Sequence, residues 1–232
     1  MRLLALDASS PKLSVALLED ERVLTESTHE AKAGELLPEV LGPLESVDAI
    51  AVGLGPGSFT GLRVALAAAK ALSYARRWPI AGASSLGALA SAALADAAQR
   101  STRAPGGAGQ PLICATIEAR RGELYASLHR GTELVWPEAA WRAEALALKL
   151  RGLDVLLVGP GAMANRAAFD GFAVSDSFPA PPAAAVARLC LPALWGARYD
   201  EAALFALAPN YLQPSMAEVA LAEGRVGGLT PT

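Results

Sequence analysis

The two halves of this chain carry the same order of predicted elements, and this repeat limits the possible fold more than any other feature. Apolar runs rich in strand formers alternate with helical apolar spacing as βββαβαβα. In the first half we expect strands at 3–8, 13–18, 22–27, 48–54 and 79–83, and helices at 35–44, at 60–76 and, capped by Ser84 or Ser85, up to 98. In the second half we expect strands at 112–119, 123–129, 132–136, 154–158 and 171–174, and helices at 138–150, 162–168 and 182–196. The sequence therefore predicts an α/β protein of two duplicated lobes with a cleft between them.

The segment between the halves has a different composition. Residues 99–111, "QRSTRAPGGAGQP", lose the apolar periodicity and concentrate Gly, Pro, Ser and Arg, which is typical of an exposed linker or long loop. We therefore expect a first lobe at 1–100, a linker or exposed loop at 101–111, and a second lobe with a tail at 112–232.

Composition excludes several classes of protein. The net charge is −3 and the basic residues form no dense run, so strong autonomous binding to nucleic acid is not expected. The two cysteines, Cys114 and Cys190, belong to no metal-binding or paired motif, which favours a reducing compartment. We found neither a signal segment nor a candidate membrane span. We therefore expect a cytoplasmic protein that does not engage membranes.

A turn rich in glycine, "GLGPGSFTG" at 53–61, lies between a predicted strand and a helix. It has no Walker A lysine, and Ser58 stands where a Rossmann fingerprint needs its third glycine. Two interpretations stay open. The turn could hold an anion at the helix N-terminus. Alternatively, Gly55 and Gly57 only shape it, Ser58 or Thr60 caps the helix, and Gly61 lets the helix approach another backbone closely; this second interpretation is favoured.

Asp7 is the strongest acidic candidate, because "LLALDASS" ends a strand with an acid followed by two hydroxyls. Such a place could meet a magnesium-nucleotide, although Asp7 could equally cap the turn into the next strand. The candidate nucleotide site consists of Asp7, Ser9, Gly55, Gly57 and Ser58. The two histidines, His29 and His129, have no metal-ligand spacing, and no GxSxG nucleophile motif is present. We therefore predict no catalytic residue and no metal site.

The helix that follows the turn is unusually rich in alanine, so a neighbouring helix could approach it closely. Two interpretations stay open here as well: a dimerisation element, or a helix that is wholly internal.

Five motifs together resemble one protein family. The chain is similar to the bacterial TsaB family of tRNA threonylcarbamoyladenosine biosynthesis proteins in "LLALDASS" (3–10), "GLGPGSFTGLRVALAAAKAL" (53–72), "ASSLGALA" (83–90), "IEARRGELYA" (117–126) and "PNYLQP" (209–214). The motifs run in family order along nearly the whole chain, and "GPGSFTGLR" is the most specific of them.

The resemblance implies lobes of the actin-like, ribonuclease H-like ATPase fold. It also implies a non-catalytic dimerisation subunit that acts with a TsaD-like catalytic subunit and a TsaE-like ATPase. Together they transfer a threonylcarbamoyl group to N6 of the adenosine 3′ of the anticodon. This subunit would require no cofactor and meet tRNA through the complex, where ATP and magnesium are used. The implied partner contact comprises Leu36, Leu37, Val40, Leu41, Leu62, Leu66 and Ala69.

Two alternatives remain beside the implied role. The chain could be an independent ATP-binding protein or small-molecule kinase of the same fold, with Asp7 and the glycine turn around magnesium-ATP. It could also be a structural homodimer, in which the alanine-rich helix pairs with its own copy.

Overall fold

Two five-stranded mixed sheets form the frame of the protein in the computed structural model, which describes residues 1–30, 47–100, 110–120, 122–214 and 219–220. The first sheet has the order β3-β2-β1-β4-β5. Its strands are β1 (Arg2–Asp7), β2 (Leu13–Glu19), β3 (Arg22–His29), β4 (Ala49–Gly53) and β5 (Ile80–Ala83). The strands β1, β2 and β3 form an antiparallel meander, while β4 and β5 add to β1 in parallel.

The second sheet repeats the first. Its strands are β6 (Leu112–Glu118), β7 (Glu123–Arg130), β8 (Glu133–Arg142), β9 (Val155–Val158) and β10 (Ala173–Val174). In the order β8-β7-β6-β9-β10, β6 takes the place of β1 and β9 that of β4. A Gly-Pro-Gly turn follows both β4 (55–57) and β9 (159–161). The predicted duplication of two α/β lobes is confirmed.

Helices cover both faces of each sheet within the described residues. They are α1 (Phe59–Arg76), α2 (Ser85–Arg100), α3 (Ala143–Leu150), α4 (Pro160–Ala164), α5 (Ala183–Leu194) and α6 (Glu201–Ala206), with a 3-10 helix at Arg166–Phe169. Alternate residues of β1 point to opposite faces: Leu4 and Leu6 pack with α1, and Leu3 and Ala5 pack with α5.

The two central helices cross between the halves of the chain. The helix α2, from the first half, covers the second sheet, whereas α5, from the second half, covers the first sheet. The two helices also contact each other, so they form one layer between the sheets. A division into 1–100 and 112–232 therefore separates the sheets but not the helices that cover them; residues 101–109 of the predicted linker lie outside the described residues.

Two predicted helices differ from the structure. The helix expected at 138–150 begins at Ala143, because 133–142 pair with β7 as the strand β8. Trp136 and Trp141 of this strand flank the Lys149 ammonium, which lies 4.4 and 4.6 Å from their ring centroids. The segment expected at 162–168 divides into α4 and the 3-10 helix. The helix expected at 35–44 lies outside the described residues.

Candidate functional site

A cleft of about 750 Å³ opens between the two lobes. The first lobe contributes the turn after β1 and the start of α1, and the second lobe contributes the turn after β6 and Tyr125. Residues 210–214 complete the lining. Of the predicted nucleotide-site residues, Ser9, Gly57 and Ser58 line this cleft, whereas Asp7 and Gly55 do not.

The Asp7 carboxylate is enclosed by protein donors. Its Oδ1 accepts hydrogen bonds from the Ser9 backbone N–H at 2.9 Å and from Ser9 Oγ at 2.6 Å. Its Oδ2 accepts one from Ser85 Oγ at 2.5 Å. Asp7 is 0% exposed, and this burial raises the pKa of its carboxyl above the ordinary value, although the bonds from Ser85 and Ser9 oppose the rise. Asp7 therefore joins β1 to the start of α2.

The glycine turn packs its backbone directly onto the turn after β1. A Cβ added at Gly57 would lie 2.0 Å from Ser9 O, and one added at Gly61 would lie 2.1 Å from Ala8 O. The Ser58 N–H donates to Ser9 O at 2.6 Å. Ser58 also caps α1, since its Oγ accepts a bond from the Gly61 N–H at 3.2 Å. The expected cap and the expected close approach at Gly61 are both confirmed.

These contacts test whether the residues fit a magnesium-nucleotide. A phosphate between the glycine turn and the first strand would need the space that Ser9 and Ala8 backbone atoms occupy. A magnesium ion on Asp7 would have to displace the donors Ser9 and Ser85 from both carboxylate oxygens. Asp7, which is 0% exposed with both oxygens bonded, thus does not fit such a ligand, and Gly55 does not line the cleft; the role of Ser9, Gly57 and Ser58, which do, stays a prediction. Sequence reasoning missed Ser85, which lies in the family-like stretch "ASSLGALA".

Three of the predicted partner-contact residues lie on the inner side of α1. Leu62, Leu66 and Ala69 are 1%, 6% and 0% exposed and face the first sheet. These three side chains are therefore not at the surface of α1, whose outer face presents Thr60, Ala67 and Ala71; the partner contact itself stays a prediction. The residues Leu36, Leu37, Val40 and Leu41 lie outside the described residues, so their contact stays a prediction.

The remaining titratable candidates are dispersed. His29 lies in the first sheet with its Nε2 2.8 Å from Ser27 Oγ. His129 lies in the second sheet, where Ser127 Oγ is 2.9 Å from its Nε2 and burial lowers the pKa of its imidazole. Throughout the described ranges, no three His, Cys, Asp or Glu side chains form a group that could hold a metal ion, and no helix is long and apolar enough to cross a membrane.

The class of protein follows from the architecture. Two lobes with the same five-strand order, crossing central helices and a cleft between them define the actin-like ATPase fold. The family model described as "TsaD: tRNA N6-adenosine threonylcarbamoyltransferase" matches residues 28–169.

Two relatives and one solved structure narrow the class. The chain is 30% identical to the tRNA threonylcarbamoyladenosine biosynthesis protein TsaB of Escherichia coli (strain K12) over 177 residues, which are 69% of this chain and 72% of the relative. It is 27% identical to the TsaB of Bacillus subtilis (strain 168) over 94% of this chain and 96% of the relative. The structure of YeaZ from Pseudomonas aeruginosa superposes with a TM-score of 0.67 at 29% identity, covering 91% of this chain and 99% of that one. The chain belongs to the TsaB family.

Proposed function

We propose that this chain is the non-catalytic dimerisation and activating subunit of a complex that modifies tRNA. The complex transfers a threonylcarbamoyl group to N6 of the adenosine 3′ of the anticodon. Similarity to the B. subtilis TsaB over 94% of the chain supports a role in the biosynthesis of threonylcarbamoyladenosine. A shared fold does not fix activity, so the division of labour is argued from the site.

The enclosed carboxylate of Asp7 is the observation that carries the non-catalytic role. At the place where the fold could engage a magnesium-nucleotide, both Asp7 oxygens bind protein donors. The backbone of the glycine turn also lies against Ser9. The same contacts disfavour the alternative of an independent kinase. Catalysis and the use of ATP and magnesium are therefore assigned to a TsaD-like subunit and a TsaE-like ATPase, and this chain requires no cofactor of its own.

The outer face of α1 is the contact that we propose for the TsaD-like subunit. Thr60, Ala67 and Ala71 lie on it at helical spacing and are exposed. Their small side chains permit a partner helix to approach closely. The inner residue Leu66 is unsuitable for testing this contact, because a charge there would enter the lobe's own core.

Reconstitution with the native partner proteins and unmodified tRNA tests the proposal. The complete mixture is expected to form threonylcarbamoyladenosine, and mixtures without this chain or without the TsaD-like subunit are expected to form none. Product formation by this chain alone would contradict the non-catalytic role. Binding of magnesium-ATP by the isolated chain, abolished by Asp7→Asn, would favour the kinase alternative.

A matched pair of variants tests the surface. Ala71→Glu places a charge on the outer face of α1, and Ala145→Glu places the same charge on an exposed position of α3 in the second lobe. We expect Ala71→Glu to weaken binding to the TsaD-like subunit at least about tenfold, or about 1.4 kcal/mol, and Ala145→Glu to leave it unchanged. Equal affinities for both would place the contact elsewhere. Sedimentation of the isolated chain shows whether the same substitution also removes a homodimer.

A further inference from the structure

Residues 207–214, "LAPNYLQP", run from the core of one lobe to the core of the other, and we call this segment the interlobe strap. At its start, Leu207 packs against the cluster between α1 and the first sheet. Near its end, Leu212 packs against the cluster between α2 and the second sheet. The strap therefore connects the two hydrophobic cores along the wall of the cleft.

The strap binds the first lobe through backbone and aromatic contacts. The Asn210 N–H donates to Leu54 O at 2.7 Å. The Tyr211 ring lies 5.0 Å from the Phe59 ring, centroid to centroid. Arg63 Nε donates to Tyr211 Oη at 3.0 Å, and its guanidinium carbon lies 3.9 Å from the Phe59 centroid. The tilted ring pair is attractive, and the Arg63 guanidinium over Phe59 joins two residues of α1 and so holds the donor to Tyr211 in place. A backbone hydrogen bond, a ring contact and a side-chain hydrogen bond therefore hold this end of the strap.

The strap binds the second lobe through side-chain hydrogen bonds. Gln213 Nε2 donates to Glu123 Oε2 at 2.7 Å, and Tyr125 Oη donates to Gln213 Oε1 at 3.1 Å. The side-chain amide of Gln213 thus donates one hydrogen bond to β7 and accepts another from it. Arg120 also donates to the Pro214 carbonyl.

Glu138 of β8 adds a link between the strap and both lobes. Its Oε2 accepts a bond from Asn210 Nδ2 at 2.5 Å, and its Oε1 accepts one from Ser84 Oγ. Ser84 also caps α2, since its Oγ accepts the Gly87 N–H at 2.9 Å. One carboxylate therefore joins the second sheet, the strap and the start of a helix from the first half.

The segment before the strap is anchored along α1 by three basic residues seven positions apart. Arg63 binds Tyr211, and Lys70 Nζ donates to Phe205 O at 3.3 Å. Arg77 lies 3.7 Å from Glu201 Oε2. Because seven residues are close to two helical turns, Arg63 and Lys70 share one flank of α1, and Arg77 follows directly after the last residue of the helix. The chain that leads into the strap is therefore held against the first lobe.

Among the residues that the structure describes, two separate sets of contacts connect the lobes. One is the layer of α2 and α5 between the sheets, which alone could act as a hinge. The other is the strap at the cleft. We propose that the interlobe strap locks the two lobes at one angle, so that the cleft of this chain does not open and close. Interfaces between lobes ordinarily permit relative motion, and a second attachment away from the hinge suppresses it.

Distance measurements between spin labels test the lock in the full chain, whatever its function. Labels are attached at Thr25→Cys on β3 and Arg151→Cys after α3, both exposed and in different lobes. The native Cys114 and Cys190 need no removal, because they are only 1% and 2% exposed and so inaccessible to the label, and burial also raises the pKa of each thiol to about 12. We expect one narrow distance distribution for the otherwise unaltered chain.

The double variant Asn210→Ala/Gln213→Ala removes the side-chain hydrogen bonds from the strap to Glu138, Glu123 and Tyr125 of the second lobe and is expected to broaden the distribution. Each lost hydrogen bond is expected to raise the population of other lobe angles about fivefold. Phe205→Ala is the matched control, because its ring is 65% exposed and only its carbonyl is bonded; its distribution is expected to stay narrow.

A folded double variant, checked by circular dichroism, with an unchanged narrow distribution would overturn the proposal, as would a broad distribution before any substitution. If the double variant does not fold, Asn210→Asp/Gln213→Glu replaces it, since the new carboxylates keep the size of the side chains and repel the Glu138 and Glu123 carboxylates that the two amides bind. The same two outcomes then decide the proposal. None of these measurements depends on tRNA modification, so the result of the experiment is independent of the function proposed above.

Discussion

Ser85 Oγ donates a 2.5 Å hydrogen bond to Asp7 Oδ2 across 78 positions of the chain. The bond joins the end of β1 in the first sheet to the first residue of α2, which covers the second sheet. Asp7 is thus part of the connection between the lobes. Ser85 reaches the glycine turn as well, since its Oγ accepts the Gly55 N–H at 3.1 Å.

The burial of Asp7 predicts a pH dependence of stability. A carboxyl whose pKa is higher in the folded than in the unfolded chain holds more protons when folded. The contribution of the protonated Asp7 to the free energy of unfolding is complete below the pKa that the group has in the unfolded chain, near 3.8. It is lost as the pH rises through the pKa of the folded chain. From about pH 4 upward, we therefore expect the free energy of unfolding of the wild type to fall relative to that of Asp7→Asn, as measured by urea titration.

The variant Ser85→Ala separately tests the predicted fall of stability with rising pH. This change removes a bond that favours the charged carboxylate and lowers its pKa. The fall of stability with rising pH should therefore continue to higher pH, and be larger in total, in Ser85→Ala than in the wild type. Parallel curves for the wild type, Asp7→Asn and Ser85→Ala would show that the carboxyl titrates as it does in the unfolded chain.

Two glycines at the same helical position give a prediction about packing. Gly61 and Gly87 are each the third residue of their helix, α1 and α2. An added Cβ would lie 2.1 Å from Ala8 O at Gly61, but 3.4 Å from Ser84 Cβ at Gly87. Gly61→Ala should destabilise the protein by about 1–3 kcal/mol or more, because backbone must move. Gly87→Ala should change stability by no more than about 1 kcal/mol. Equal denaturation midpoints for the two variants would refute the close approach.

Local features of the site were predictable, and contacts over long sequence distances were not. The cap at Ser58 and the close approach at Gly61 follow from a turn of small residues before a helix. The donor Ser85 was missed because single-sequence patterns do not report which distant side chain meets Asp7. The second Gly-Pro-Gly, at 159–161, also indicates the duplication, but our prediction relied on the order of elements and not on this repeated tripeptide.

The orientation of α1 was not predictable for a physical reason. Alanine is common on every side of this helix, so the contrast between an apolar face and a polar face is weak. The crossing of α2 and α5 was missed for another reason, because each helix packs on the sheet of the opposite half. The strand at 133–142 was partly assigned to a helix because Glu138, Ala139 and Ala140 favour helices locally, whereas pairing with β7 decides the outcome.

A pair of leucines distinguishes the inner face of α1 from exposed surface. Leu66 is 6% exposed among apolar side chains of β1, β2 and β4, and Leu148 on α3 is 63% exposed. Leu66→Ala should lower the free energy of unfolding by about 2–5 kcal/mol, because it leaves a cavity. Leu148→Ala should stay within about 0.5 kcal/mol of the wild type. Chemical denaturation measures both, and a small effect at Leu66 would mean that α1 does not present this face to the sheet.

The hydroxyl of Thr116 holds the second Gly-Pro-Gly turn against its sheet. Thr116 is 0% exposed, and its Oγ1 donates to Val158 O at 2.8 Å and accepts the Ala162 N–H at 2.8 Å. Thr116→Val keeps the shape of the side chain but removes the acceptor of the Ala162 N–H and one donor to Val158 O, which costs on the order of 1–3 kcal/mol. Thr116→Ser keeps the hydroxyl and loses only a methyl group, so it should cost about 1 kcal/mol. Hydrogen exchange at the Ala162 amide should accelerate in Thr116→Val and not in Thr116→Ser, because only the valine removes its acceptor. If the two variants unfold at the same urea concentration with equal exchange at Ala162, the hydroxyl does not hold the turn.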